Sequence, residues 1–136
     1  MESLRRELEA ELAAARERAR SGPEAAAGEL ASGDPAAAGR RVRDAEVALG
    51  EGGDQRVRLA AAMRALLWHR RADATICPSD AARAVGGESW RELMDTAREV
   101  AAELARDGEI VVRQRGADVD IATVTGPIRL ARGPRW

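Results

Sequence analysis

The fold is decided between residues 74 and 130, in a stretch that begins Ala74-Thr75-Ile76-Cys77-Pro78-Ser79-Asp80 and ends Gly126-Pro127-Ile128-Arg129-Leu130. A short β-branched segment at 75–77 comes first, followed by two helical patterns joined at Gly86-Gly87 and by two β-branched runs around a polar loop. This order of elements is typical of a winged helix-turn-helix. We therefore expect a mainly α fold with a small antiparallel β-hairpin, an α+β chain, in which an N-terminal helical extension precedes the winged helix-turn-helix.

The two helices of this stretch are predicted from their caps and their apolar spacing. Ser79 is a suitable cap for a short helix that ends near Val85. Ser89, with Glu92 three residues later, forms a capping-box pattern that predicts a longer helix over residues 90–107. The apolar residues of that longer helix recur on one face and are Trp90, Leu93, Met94, Ala97, Val100, Ala101 and Leu104.

The hairpin is predicted from the β-branched runs that follow. Residues 110–115 are expected to form the first strand, residues 116–120 a turn, and residues 121–125 the return strand. Pro127 lacks the N–H that a ladder requires, so it indicates a sheet edge or the end of pairing.

Residues 54–136 are interpreted as the winged-helix-like domain, and residues 1–53 as a helical leader with glycine and proline breaks. In the domain, Asp54 is suited to cap a helix over residues 55–71 whose core-facing stripe is Leu59, Met63, Leu66 and Leu67. In the leader, Asp34 followed by Pro35 predicts a helix over residues 35–49, and the glycine-rich residues 50–53 predict a hinge.

The first helix of the leader is predicted over residues 1–20 and carries Leu4, Leu8 and Leu12 on one narrow face. The stripe is too short to identify a coiled coil. Two interpretations remain open: the helix packs on its own domain, or it is an arm that binds a protein partner or a second copy of the chain.

Composition limits the class of protein. Apolar residues make up 45% of the 136, but Phe and Tyr are absent, so the core must be built from Leu, Val, Ile, Met and Trp. Residues 1–55 carry eight arginines and twelve acids, whereas residues 56–136 carry fourteen arginines and eleven acids. The single cysteine excludes an internal disulfide, and no signal peptide or membrane span is recognisable. We expect a cytoplasmic protein that does not enter the membrane.

Several segments together resemble the bacterial "domain of unknown function 3253" family. They are Thr75-Ile76-Cys77-Pro78-Ser79, Ala82-Arg83-Ala84, Trp90-Arg91 with Leu93-Met94, Arg98, Gln114-Arg115-Gly116, Val119-Asp120 and Gly126-Pro127-Ile128-Arg129-Leu130. The resemblance covers roughly residues 57–131 and leaves residues 1–53 outside. It implies a small winged-helix-like bacterial domain without an established activity.

Five arginines are the candidate nucleic-acid-binding residues. They are Arg91 and Arg98 on the longer helix, Arg113 and Arg115 in the hairpin, and Arg129 beyond it. Because side chains alternate along a strand, Arg113 and Arg115 are expected on the same side. The helix also carries four acids on its solvent face, so an ordinary solvated surface with Arg91–Asp95 and Asp95–Arg98 pairs is the alternative.

Catalytic chemistry is not indicated. We find no glycine-rich phosphate loop, no metal-ligand spacing and no nucleophile beside a histidine, so we expect no catalytic residue, metal or cofactor. His69 is interpreted as a cation at a helix C-terminus. Cys77 is interpreted as a packed thiol, with a reactive sensor thiol as the weaker alternative.

These observations lead to two functional hypotheses. The first is a non-enzymatic winged-helix module that binds double-stranded DNA or regulates transcription. The second is a protein-interaction module on the same scaffold, with the leader helix as adaptor or dimer arm.

Overall fold

The computed structural model describes residues 4–14, 17, 35–50 and 54–136. The helices are α1 over residues 4–14, α2 Pro35–Leu49, α3 Gln55–His69, α4 Pro78–Gly86, a 3-10 helix Gly87–Leu93 and α5 Met94–Arg106. The strands β1 Ile110–Gln114, β2 Ala117–Asp118 and β3 Arg129–Arg132 form one antiparallel sheet in the order β2-β1-β3. The expected mainly helical α+β class is confirmed, and no helix in the described ranges is long and apolar enough to cross a membrane.

The leader helices are described only in part. The predicted bounds of the second helix agree with α2, whereas its Asp34 cap, most of the predicted hinge and the ends of the first predicted helix lie outside the described residues.

Helix α3 forms the centre of the core. The Asp54 carboxylate accepts a hydrogen bond from the N–H of Arg56 at 2.8 Å, as a helix cap should. All four residues of the predicted stripe, Leu59, Met63, Leu66 and Leu67, are fully buried. The helix ends at His69, two residues earlier than predicted, because Arg70 is already extended.

The corner between α4 and α5 differs from the prediction. Only Met94–Arg106 is α-helical, and the residues before it form the 3-10 helix. Ser89 lies inside the 3-10 helix and Leu93 holds the N-cap position of α5, so the predicted capping box at Ser89 is wrong. A Cβ on Gly86 would lie 2.7 Å from Leu93 Cδ1, so glycine allows the close approach of the two sides of this corner.

The start of α4 also differs from the prediction. The helix begins at Pro78, and Cys77 rather than Ser79 holds the cap position. The Asp80 carboxylate accepts the N–H of Cys77 at 2.9 Å, so this acid secures the first turn.

The prediction of a return strand at residues 121–125 is wrong. Strand β1 reverses at once through Arg115, with φ +54°, and Gly116, with φ +82°, and then pairs with β2. Two successive residues with positive φ are typical of a type I′ hairpin turn. Arginine rarely adopts this conformation, so the sequence did not indicate so early a turn.

Residues 119–128 connect β2 to β3 and are called the 119–128 loop below. Asp120 holds its first turn, since the Asp120 carboxylate accepts the N–H of Ala122 at 2.9 Å and its carbonyl accepts that of Val124 at 3.0 Å. These local hydrogen bonds of Asp120 take the place of the strand pairing that the β-branched residues 121–125 had predicted.

The third strand of the sheet, β3, completes the core. It pairs along β1, and Leu130 also exchanges two backbone hydrogen bonds with Ile76, of 2.6 and 2.9 Å. The predicted strand at 75–77 is therefore reduced to a single bridge beside β3. Ile110, Val112 and Leu130 are buried in the same core as α3 and α5.

Helix α1 packs on the core of its own chain. Leu8 is fully buried, and Leu4 and Leu12 are partly buried beside it. The buried Glu11 accepts two hydrogen bonds from Arg41, Nε to Oε1 at 2.7 Å and Nη2 to Oε2 at 2.9 Å. The structure thus agrees with the first interpretation of the leucine stripe, in which the helix packs on its own domain.

Candidate nucleic-acid interface

The charges on α5 are divided between its two sides. Arg56, at the start of α3, donates to Glu99 at 2.7 Å and also to Glu103. These hydrogen bonds raise the pKa of Arg56. Two of the four acids that weighed against nucleic acid are therefore paired with a neighbouring helix.

The opposite side of α5 carries arginine. Arg98 donates from Nη2 to the carbonyl of Val124 at 3.5 Å, so it lies against the 119–128 loop. Arg91 is exposed in the 3-10 helix that precedes α5. In the described part of the chain neither arginine forms the ion pair with Asp95 that the sequence suggested.

Trp90 supports a second arginine that sequence reasoning missed. The guanidinium carbon of Arg83, on α4, lies 4.4 Å from the centroid of the Trp90 ring, and that of Arg91 lies 4.6 Å from it. Both distances are within the range of cation–π attraction. Trp90 was expected in the core but is only half-buried, and it holds two guanidinium groups at the start of the α5 segment.

Arg113 and Arg129 come together on the sheet. They are paired residues of β1 and β3, and side chains opposite one another in a ladder share a face. Arg113 also faces Asp118 of β2 and donates to it from Nε at 3.1 Å. Arg129 donates to the hydroxyl and the carbonyl of Thr75, both at 2.9 Å.

Arg115 does not share the side of Arg113 by strand alternation, because it lies beyond the end of β1 in the two-residue turn. It is exposed to solvent at the tip of the hairpin. No carboxylate pairs with Arg115 among the residues that the structure describes.

The candidate arginines thus lie in three parts of the structure. Arg91 lies in the 3-10 helix before α5 and Arg98 on α5, Arg113 and Arg129 lie on the sheet, and Arg115 lies at the exposed tip of the hairpin. A guanidinium group binds phosphate oxygens through charge-assisted, often bidentate hydrogen bonds. The Arg98 contact to Val124 joins the helix group to the 119–128 loop, so the arginines belong to connected elements.

The remaining reactive side chains are not grouped. His69 lies near Glu11, with 3.5 Å between Nδ1 and Oε2, and Cys77 is half-buried at the start of α4. Among the described residues, no group of three or more His, Cys, Asp or Glu side chains could hold a metal ion.

Comparison with protein families identifies one match. Residues 56–133 match the family described as "Protein of unknown function (DUF3253)", which agrees with the resemblance in the sequence. The match covers more than half of the chain and includes all five candidate arginines. No curated protein matches the sequence significantly.

Proposed function

Because the chain belongs to the DUF3253 family, whose function is unknown, we propose from its geometry that it is a non-enzymatic winged-helix module that binds double-stranded DNA. The order of elements supports this proposal. Three helices are followed by an antiparallel sheet, and the Ile76 bridge lies beside β3, which lies beside β1. In such modules the third helix enters the major groove, and the hairpin contacts the backbone.

The observation that carries the proposal is the division of charge on α5. Glu99 and Glu103 are paired with Arg56, whereas Arg91 and Arg98 remain without acidic partners in the described part of the chain. The side of the helix that faces the 119–128 loop is therefore the more basic one. With the arginines of the sheet nearby, this surface suits a phosphate backbone better than the charges counted along the sequence suggested.

The test is the affinity for duplex DNA between about 50 and 200 mM salt. Each phosphate contact adds about 0.9 to the log–log slope against salt, so Arg98→Gln and Arg129→Gln should each lower that slope by about 0.9. Arg71→Gln is the matched control, because Arg71 is exposed and paired with Asp73 and is not one of the candidate arginines. A Kd above roughly 0.1 mM at the low-salt end, or a flat salt response, would contradict DNA binding.

Protein interaction remains the alternative, but the described contacts do not favour the leader as a dimer arm. Leu8 is buried within its own chain, so self-association through the leucine stripe would require α1 to detach. Sedimentation of the full chain over a range of concentrations tests this alternative, since a monomer throughout removes the dimer arm. We further propose a bacterial, cytoplasmic setting, which is compatible with the single cysteine.

A further inference from the structure

A cleft lies between α2 and α3, away from the candidate DNA surface. Its volume is about 380 Å³, within the range of pockets that hold small molecules. Glu109 and Trp136 complete its wall. The residues that line it are Arg40, Arg43, Asp44, Val47, Val57, Ala61, Arg64, Trp68, Glu109 and Trp136.

The cleft concentrates apolar surface that is accessible to solvent. Val47 and Val57 are the large apolar side chains that stand out as exposed in the described ranges, at 38% and 56%, and both line this cleft. The rings of Trp68 and Trp136 pack against each other with 4.8 Å between their centroids. Exposed apolar side chains around aromatic rings are typical of a binding site.

Arg64 and Arg43 of the cleft differ in their contacts with carboxylates. Arg64 is held by Glu109 through two hydrogen bonds of 3.0 and 3.1 Å, and its Nη1 lies 3.9 Å from Asp44. Arg43 is exposed at the cleft and forms no ion pair with a carboxylate among the described residues, although its charge opposes the rise in the pKa of the neighbouring Asp44 carboxyl. A ligand that carries one negative charge would supply the partner that Arg43 lacks.

Asp44 does not cancel this positive charge fully. Its side chain is only 15% exposed, and burial raises the pKa of its carboxyl to about 6, with Arg64 opposing the rise. Close to this pH a large part of the Asp44 carboxyl groups carry a proton. The Asp44 carboxyl then opposes only part of the positive charge of Arg43.

We propose that this cleft binds a small amphipathic anion, with an apolar body between Val57 and the two tryptophan rings and a carboxylate at Arg43. The volume limits the occupant to a small molecule, and the exposed guanidinium group of Arg43 selects an anion over a neutral or cationic one. This site is separate from the arginines of α5 and the sheet, so the proposal does not depend on DNA binding.

The probe for the experiment is 4-cyclohexylbutyrate, with 4-cyclohexylbutyramide as its neutral analogue. Binding to the full chain is followed by calorimetry and by tryptophan fluorescence, since neither probe absorbs where indole does. For a ligand of this size we expect a Kd on the order of 0.1–1 mM for the carboxylate. The amide should bind about tenfold more weakly, because it lacks the charge-assisted hydrogen bond.

Two variants separate the contributions of charge and apolar surface. Arg43→Gln should raise the Kd of the carboxylate probe about tenfold and leave the Kd of the amide probe unchanged. Val57→Asn should weaken the binding of both probes, and Arg71→Gln, which changes an exposed arginine outside the cleft, should weaken the binding of neither. Both substituted side chains in the cleft are exposed, and circular dichroism verifies that the variants fold.

Several outcomes would overturn the proposal. It is wrong if the carboxylate and the amide bind equally, if neither binds at 10-fold above the expected Kd range, or if Arg43→Gln has no effect. It is also wrong if sedimentation shows a dimer that Val57→Asn dissociates, because the cleft would then be covered by a second copy of the chain.

Discussion

Arg113 stands directly opposite Arg129 across the β1–β3 ladder, so both side chains leave the backbone at neighbouring positions on one face of the sheet. Like charges in such a pair are unfavourable. Asp118 forms an ion pair with Arg113. Arg129 donates two hydrogen bonds to Thr75, one to its hydroxyl and one to its carbonyl, so both guanidinium groups have partners. The β1–β3 pair thus places two cations on one face of the sheet, which is an arrangement that an anionic backbone would stabilise further.

Asp118→Asn is expected to strengthen DNA binding. The substitution releases Arg113 from its ion pair, which is exposed and therefore contributes less than about 1 kcal/mol to folding. The Kd for duplex DNA at about 50 mM salt should fall by roughly two- to fivefold, with a steeper salt dependence. Fluorescence anisotropy with labelled duplex measures both quantities.

Asp73→Asn is the control for this prediction, because Asp73 is also exposed and paired with an arginine, Arg71. It changes the net charge equally, but it releases an arginine that is not one of the candidate residues. If both variants bind DNA equally well, the effect reflects total charge, and the role assigned to Arg113 is contradicted.

The helical part of the fold could be predicted because its signals are local. Asp54 is a cap, and Leu59, Met63, Leu66 and Leu67 recur at helical spacing, so the position and inner face of α3 follow from neighbouring residues. The bounds of α2 were predicted for the same reason. The corner at Ser89 was not, because the close contact of Gly86 with Leu93 decides its geometry.

The strands could not be predicted to the same extent. Residues 121–125 are β-branched, but a strand needs a partner as well as propensity. Because the chain reverses early, at Arg115-Gly116, Ala117–Asp118 pair with β1 in place of residues 121–125. The hydrogen bonds of Asp120 then turn the chain away from this pairing.

The candidate site was predicted as a set of arginines but not as an arrangement. The contacts of Arg56 with Glu99, of Arg83 with Trp90 and of Arg113 with Arg129 all join separate elements. The spacing of these residues in the sequence carries no signal of such contacts. The acids of α5 were counted against nucleic acid for this reason, although two of them are engaged by α3.

Gly133→Ala is expected to destabilise the fold. A Cβ at this position would lie 2.3 Å from the carbonyl oxygen of Gly108 and 2.8 Å from the backbone nitrogen of Ile110. Backbone atoms cannot move aside as a flexible side chain can, so we expect a loss of about 2–3 kcal/mol in the free energy of unfolding. Denaturation with urea measures this loss.

Gly39→Ala provides the opposite control. Nothing lies within 4 Å of a Cβ on Gly39, which is exposed within α2. Alanine should stabilise this helix by about 0.5–1 kcal/mol. Equal effects of the two substitutions would contradict the close approach of Gly133 to Gly108.

Leu8→Ala tests the docking of α1. Leu8 is fully buried in the common core, so its truncation should lower the free energy of unfolding by about 2–5 kcal/mol. Glu9→Ala, at the exposed neighbouring position, controls for the higher helix propensity of alanine and should change stability by less than about 0.5 kcal/mol. An unchanged unfolding curve for Leu8→Ala would mean that α1 does not contribute to the folded core.

The stability of the protein should fall with rising pH through the titration of Asp44. Burial raises the pKa of Asp44 from 3.8 to about 6, so between these values the folded state retains a proton that the unfolded state has released. The unfolded state then binds fewer protons, and the free energy of unfolding decreases until the full loss is present above pH 6. At about 1.4 kcal/mol for each unit of pKa, this loss is on the order of 2–3 kcal/mol.

Asp44→Asn should remove that contribution. At pH 7.5 the variant is expected to be more stable than the wild type by about 2 kcal/mol, and the difference should disappear toward pH 4, where Asp44 is protonated in both states. Arg64 keeps its two hydrogen bonds to Glu109 in the variant, so the substitution does not leave a buried cation without a partner. Urea denaturation across this pH range measures the difference, and parallel stability curves for the two proteins would show that the Asp44 carboxyl is ionised in the fold as it is in the unfolded chain.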